Sequence, residues 1–241
     1  VSSDLGATGV KAVLLDIEGT TTPIAFVYGV LFPFARAHLT EFIAAHAGSP
    51  AVSDLTRVLR AEHAADQSPG EPPPPWSAGV ATYALWLMDR DRKSPGLKGL
   101  QGLVWEEGYQ AGQLQGQVFP DVPAAIRRWR QAGLDVAIYS SGSELAQRRL
   151  FESTEHGDLA PLLSGFFDTA VGAKTSAESY ARVAKALGCE PRQVLFISDV
   201  TAELVAARTA GLQTRLSIRP GNPPQPGAES FESVTTFETV R

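Results

Sequence analysis

The chain has 241 residues, 44% of them apolar and 20% charged, an ordinary globular composition that excludes a disordered, collagenous or fibrous chain. At roughly 150 residues per domain, the length allows about 1.6 domains, so either one large domain or a core with a smaller insert. The 21 Lys and Arg against 26 Asp and Glu leave a net charge of −5, which argues against a protein that binds nucleic acid through a basic surface; the single cysteine, Cys189, excludes an internal disulfide and a thiolate zinc cluster and fits a reducing compartment.

The first ten residues lack the basic start and apolar run of a secretory signal. Val10–Leu15 is a short apolar run ending in Asp16 and reads as a strand buried on both faces of a parallel sheet. Gly19–Ala35 is apolar in character but short, with three threonines, Pro23 and Pro33, which does not make a membrane span. The expectation is a soluble, cytoplasmic monomer with no membrane or nucleic-acid partner. From about Phe26 to Phe119 helical periodicity recurs at Phe34–Ala47, Val52–Ala65, Val80–Met88 and Leu97–Gln113, without a convincing strand. Pro72–Pro75 between them reads as a stiff extended loop. Beyond Pro120 helices and strands alternate. Helices are expected at Val122–Gln131, Glu144–Phe151, Ala177–Leu187 and Ala202–Ala210, and strands at Leu134–Tyr139, Phe167–Gly172, Val194–Ser198 and Thr214–Ile218. Gly133, Gly188 and Gly211 read as helix stops, and Pro220–Gly227 as loop. The fold class is therefore α/β: a Rossmann-like parallel sheet core over 1–25 and 120–241, with an all-helical insert over 26–119 after the first strand.

Ligands of an open parallel sheet bind outside the carboxyl ends of its strands. Those ends carry Asp16, Glu18, Ser140, Ser141 and Asp199. One acid after a strand is weak evidence, because Asp and Gly both favour turns. Three polar strand ends in one crevice are harder to assign to turn chemistry. The i, i+2 spacing of Asp16 and Glu18 lets two carboxyl groups flank one point. One can attack phosphorus while the other supplies or removes a proton. Gly19 permits a tight loop with amides close to a phosphate. Asp16 and Asp199 are hard oxygen ligands, suited to Mg²⁺ rather than zinc. A hydroxyl of Ser140 or Ser141 and the ammonium of Lys174 can hold the remaining phosphate oxygens. Taken alone, Lys174 after Gly172-Ala173 reads more readily as a solvated loop lysine.

Other polar residues give less. His38, His46, His63 and His156 show no paired ligand spacing, and Cys189 has no catalytic partner in sequence. Arg127-Arg128 and Arg148-Arg149 read as solvated helix faces. Trp76, Tyr83, Trp86 and Leu87 read as the core of the helical insert. Arg92 and Lys93, at the end of an insert helix, are as well placed for a substrate as for solvent.

Asp16-Ile17-Glu18-Gly19-Thr20 after strand one, Ser140 after strand two, Lys174, and Asp199 after a later strand together resemble the four motifs of the haloacid dehalogenase (HAD) superfamily. Glu at the second acidic position, within Leu15-Asp16-Ile17-Glu18-Gly19-Thr20-Thr21-Thr22-Pro23, is similar to the acireductone synthase family, the enolase-phosphatases of methionine salvage. Asp91-Arg92-Lys93-Ser94, Leu100-Gln101-Gly102, Tyr139-Ser140-Ser141-Gly142-Ser143, Phe167-Asp168-Thr169, Glu178-Ser179-Tyr180, Ser198-Asp199-Val200 and Arg219-Pro220-Gly221-Asn222 extend that resemblance over nearly the whole chain. It implies a HAD-type core with the insert as a helical cap. It implies Asp16 as nucleophile, Glu18 as general acid/base, Ser140, Ser141 and Lys174 on the substrate phosphate, and Mg²⁺ held by Asp16, Glu18 and Asp199. The implied reaction takes 2,3-diketo-5-methylthiopentyl-1-phosphate to the acireductone and phosphate through an aspartyl-phosphate. A plain Mg²⁺-dependent HAD phosphatase, a hydrolytic dehalogenase and a non-catalytic phosphate-binding domain remain as alternatives.

Overall fold

The structure is a computed structural model that describes residues 5, 8–66 and 71–241; most of the first ten residues, where no secretory signal is expected, lie outside them. The described residues fall into two compact units, one within 1–28 and 115–241 and the other within 29–114.

The first unit is built on a six-stranded sheet of order β3-β2-β1-β4-β5-β6. Its strands are β1 Ala12–Leu15, β2 Asp135–Tyr139, β3 Gly165–Phe167, β4 Val194–Ser198, β5 Gln213–Ser217 and β6 Ser233–Val234, and every pairing is parallel. This is the doubly wound arrangement, in which the order reverses direction at β1 and β4 and opens a crevice at their carboxyl ends. Leu15 pairs with Ile138 on one side and Ile197 on the other, so the residues that follow β1, β2 and β4 emerge together. All four β1 residues are fully buried, which is why the strand reads as a continuous apolar run rather than an alternation. Helices α6 Val122–Gln131, α7 Glu144–Glu152, α8 Ala177–Ala186 and α9 Thr201–Thr209 flank it, after a short turn α1, Ile24–Phe26, beyond β1. On one face Tyr139, Tyr180, Val183, Phe196, Leu204 and Ala207 pack together.

Differences from the sequence expectation have local causes. β3 ends at Phe167, where the expected strand Phe167–Gly172 begins. Its partner β2 ends at Tyr139, opposite Phe167, and beyond that point Asp168 closes a turn by accepting from Ala170 N–H at 2.8 Å. Arg128 does not lie on a solvated face: its guanidinium donates to the carbonyls of Phe237 and Val240. The lone Cys189 is half-buried and free.

The second unit is helical: α2 Phe32–Ala45, α3 Pro50–Ala65, α4 Val80–Asp89 and α5 Pro95–Gln110. Ser49 and Ser94 cap α3 and α5 by accepting from the amides of Val52 and Leu97. Tyr83, Trp86 and Leu87 are buried, with His63 against Tyr83 at 4.8 Å between rings. The division falls at Tyr28/Gly29 and Leu114/Gln115 instead of 25/26 and 119/120. Gln115–Phe119 belongs with the sheet because Gly116 N–H donates to Ser153 O and Phe119 N–H to Thr21 O. At the other junction the helix relaxes into a π-turn over Val27–Leu31. Among the described residues no helix is long and apolar enough to cross a membrane.

Candidate active site

Asp16 stands at the carboxyl end of β1, 4% exposed. Its own amide donates to Ile197 O on β4 at 3.0 Å, and its Oδ1 accepts from Ile17 N–H at 2.8 Å. The loop beyond is tight. The amides of Thr20, Thr21 and Thr22 all converge on Ile17 O, Gly19 N–H donates to Thr22 O, and Thr21 Oγ1 donates to Asp16 O at 3.0 Å. In this turn Glu18 is half-buried and Gly19 buried.

Lys174 is buried, its Nζ 2.6 Å from Asp16 Oδ1 and 2.7 Å from Glu203 Oε2. Two tyrosines place it: Tyr180 Oη donates to Lys174 O at 2.7 Å, and Tyr139 Oη to Gly172 O at 2.9 Å. Burial alone would push the ammonium down, but Asp16 and then Glu203 outweigh it and hold the lysine above its ordinary pKa. It is charged, and it is no solvated loop residue.

Asp199 follows β4 and is 6% exposed. Burial, then repulsion from Asp16 and Glu203, raises its pKa to about 7, against the pull of Lys174. Glu203, on the first turn of α9, is raised to about 7 by burial and Asp16, in spite of Lys174. Ser198 Oγ accepts from Val200 N–H at 3.1 Å and lies 3.0 Å from Glu203 Oε2 and 3.3 Å from Asp16 Oδ2; its one proton favours the shorter contact. Three carboxylates thus crowd one buried lysine. Glu203 was not among the sequence candidates. The signal that could have found it is its place four residues after Asp199, one turn into the helix that follows the strand.

Ser140 and Ser141 follow β2. Ser140 is buried and Ser141 exposed. Gln147 Nε2 braces this turn by donating to Gly142 O at 2.9 Å and Phe167 O at 2.8 Å. Ser143 then caps α7, whose first-turn amides face the same edge of the sheet, a geometry that favours anions. Among the described residues, neither serine hydroxyl makes a hydrogen bond to Asp16.

Two expected outcomes follow from this geometry. Gly19 has φ +65°, and a Cβ on it would lie 2.5 Å from Asp199 Oδ2 and 2.9 Å from Asn222 Oδ1. Gly19→Ala is therefore strained both in backbone and in contact, and a loss of about 1–3 kcal/mol is expected in denaturant unfolding; an unchanged midpoint would contradict it. The second concerns pH. Asp199 and Glu203 bind a proton more tightly folded than unfolded. Between the ordinary carboxylate range and about 7 the folded state then holds more protons than the unfolded one, so these groups make stability fall as pH rises through that window. Melting of the ion-free protein should drop by several degrees from pH 5 to pH 8, and a rise would refute the arrangement.

A sequence model of the haloacid dehalogenase-like hydrolases matches residues 10–211. An enolase-phosphatase E1 of Synechococcus elongatus is 52% identical over 217 residues, 88% of this chain and 90% of the relative. That of Pseudomonas aeruginosa is 47% identical over 205 residues, 85% and 88% of the two chains. Among solved structures, the UTR4 protein of Saccharomyces cerevisiae superposes with a TM-score of 0.77 at 34% identity, over 96% of this chain and 100% of that one. A sheet of this order, with an aspartate ending β1 against a buried lysine, and likeness along most of its length place the chain in one family: it belongs to the haloacid dehalogenase-like hydrolases, alongside the enolase-phosphatase E1 proteins.

Proposed function

We propose that the chain is an enolase-phosphatase acting on 2,3-diketo-5-methylthiopentyl-1-phosphate, with Asp16 as nucleophile and Mg²⁺ as cofactor. The observation that carries this reading is the buried Asp16–Lys174 pair at the carboxyl end of β1, with Glu18 two residues on where plain phosphatases of the family have Asp.

The residues present fit a hard divalent cation. Asp199 and Asp16 are buried carboxylates, and burial first and then repulsion from Asp16 raises Asp199, so positive charge is wanted between them. Among the described residues no three His, Cys, Asp or Glu side chains form a ready-made metal cluster. Mg²⁺ does not need one, since it is commonly held by one or two carboxylates with water and substrate phosphate. Asp16 and Asp199 would hold it, with an oxygen of Glu18. When bound, it supplies charge neutralisation and polarises a substrate oxygen.

The chain's own groups do the rest. Hydrogen bonds from Ile17 and Lys174 to Oδ1 fix the plane of the Asp16 carboxylate, so its attack on phosphorus needs little reorganisation. The oxygen–phosphorus bond of the ester breaks as the aspartyl bond forms, and Glu18 gives its proton to the leaving oxygen. Glu18 then takes a proton from the water that splits the aspartyl-phosphate. Lys174 and the hydroxyls of Ser140 and Ser141 hold the phosphoryl oxygens, where charge accumulates. The preceding enolisation moves a proton from carbon to a neighbouring carbonyl oxygen, and the longer Glu18 side chain reaches further than Asp for that task.

The test is product analysis with the diketone phosphate and Mg²⁺. Enol absorbance together with phosphate release supports the reading, and phosphate release without enol points to a plain phosphatase. Glu18→Gln should lower turnover by about 10²–10⁴-fold, and Glu18→Asp should spare phosphate release from simple esters more than it spares enolisation. Full retention of both by Glu18→Asp would remove Glu18 from the enolisation step.

A further inference from the structure

The loop leaving β5, Ser217–Asn222, grips the turn after Asp16 from outside. Asn222 Nδ2 donates to Gly19 O at 2.9 Å and to Ser217 O at 3.3 Å, and Ser217 Oγ donates to Gly19 O at 3.2 Å. Next to it Arg219 Nε donates to Thr20 O at 3.2 Å. Arg219 is itself 6% exposed, paired with Asp121 through Nη1 at 2.9 Å and held between the rings of Phe119 and Phe237.

The two Nδ2 bonds set the Asn222 amide in one orientation and turn Oδ1 away from both carbonyls. That oxygen is buried and has no hydrogen-bond partner among the described residues. A buried acceptor left without a donor is costly, and in native structures such an atom is commonly explained by a bound water or ion. Its direction is shown by Gly19. The position a Cβ would take there is 2.9 Å from Asn222 Oδ1 and 2.5 Å from Asp199 Oδ2, so an amide oxygen and a buried carboxylate oxygen close on the same side of Gly19. Two acceptors with no donor between them suit a hydrated cation.

We propose that Asn222 is a positioning residue for the divalent cation at Asp16 and Asp199: Oδ1 accepts from a water of the cation's hydration shell while Nδ2 holds the Glu18–Gly19 turn in place. The inference rests on the Mg²⁺ reading made above. Mg²⁺ dehydrates reluctantly and keeps several waters, and those waters need acceptors beyond the direct ligands.

The experiment is titration calorimetry with Mg²⁺ alone on the unsubstituted chain, Asn222→Ala and Asn222→Asp, with melting temperature recorded in chelator. Both variants lose the Nδ2 donor, and only Asn222→Asp keeps an acceptor oxygen. Asn222→Ala should bind Mg²⁺ about 10-fold more weakly, the lower end of what loss of an outer partner of a metal site costs; Asn222→Asp should bind at least as tightly as the unsubstituted chain. Asn222→Ser replaces Asn222→Ala if the latter does not fold. Equal weakening in Ala and Asp variants of equal melting temperature overturns the role of Oδ1, as does unchanged affinity in Asn222→Ala. An unsubstituted chain that binds no Mg²⁺ overturns the metal reading and this inference together, whereas equal binding by all three overturns the inference alone.

Discussion

Asp16→Asn is expected to abolish turnover, by at least about 10⁴-fold, while leaving the protein no less stable than its parent. The amide keeps the shape of the carboxylate and can still accept from Lys174 and Ile17 at the Oδ1 position, but it cannot form an acyl-phosphate. The stability half of the expectation comes from the crowding. Asp16 is the charge that most raises both Asp199 and Glu203 after burial itself, and removing it relieves that repulsion while Glu203 continues to pair with Lys174 at 2.7 Å. The proposed nucleophile stands among like charges, an arrangement that trades some stability for chemistry. Mass spectrometry of the quenched reaction checks the first half, with a phosphoryl adduct on the parent and none on the variant. Thermal melting above pH 7 checks the second. A variant that turned over normally would remove Asp16 from the nucleophile role, and one that melted well below its parent would show that the carboxylate is there for structure.

The parts of this architecture that were legible in the sequence are those with one dominant local cause. β1, β2 and β4 are buried on both faces and end in polar residues, so an apolar run broken by Asp16, Ser140 or Asp199 marks each within two residues. α6 was legible to the residue, Val122–Gln131, because its apolar stripe is strongly one-sided. β3 and β6 were not, being three and two residues long and formed only because a neighbouring strand offers its edge. The same distinction runs through the site. Asp16 and Glu18 lie in one short string. Lys174 looks like a loop lysine until Tyr180 is seen to hold its carbonyl and Tyr139 that of Gly172, two residues before it. The grip of Arg219 on Thr20 joins residues 199 positions apart, and nothing local in Arg219-Pro220-Gly221-Asn222 announces which carbonyls it serves. Chemistry borne by a strand end is readable because the strand is. Support supplied across the sheet depends on strand order, which periodicity does not encode.

Lys174→Met is the complementary expectation, since it removes the cation and keeps the acids. Lys174 is 9% exposed and within 2.7 Å of both Asp16 and Glu203. Taking one partner from a buried pair leaves uncompensated charge and typically costs about 3–5 kcal/mol, which for a chain of this size is a drop in melting temperature on the order of 10 °C. Phosphate turnover should fall by at least about 10²-fold, because the methionine offers nothing to the phosphoryl charge. The pH dependence separates charge loss from poor packing. In the parent, a lysine held above its ordinary pKa contributes stability throughout the neutral range and loses it only as pH climbs past about 10. In the variant, Glu203 and Asp199 lose their nearest cation and bind protons more tightly still, so lowering the pH toward 5 neutralises the acids that the substitution stranded. The gap in melting temperature between parent and variant should therefore narrow steadily from pH 8 to pH 5. A gap that stays constant would mean that the methionine is merely a bad fit, and a variant that melts with its parent at pH 7.5 would mean that the lysine's charge does not hold these carboxylates together.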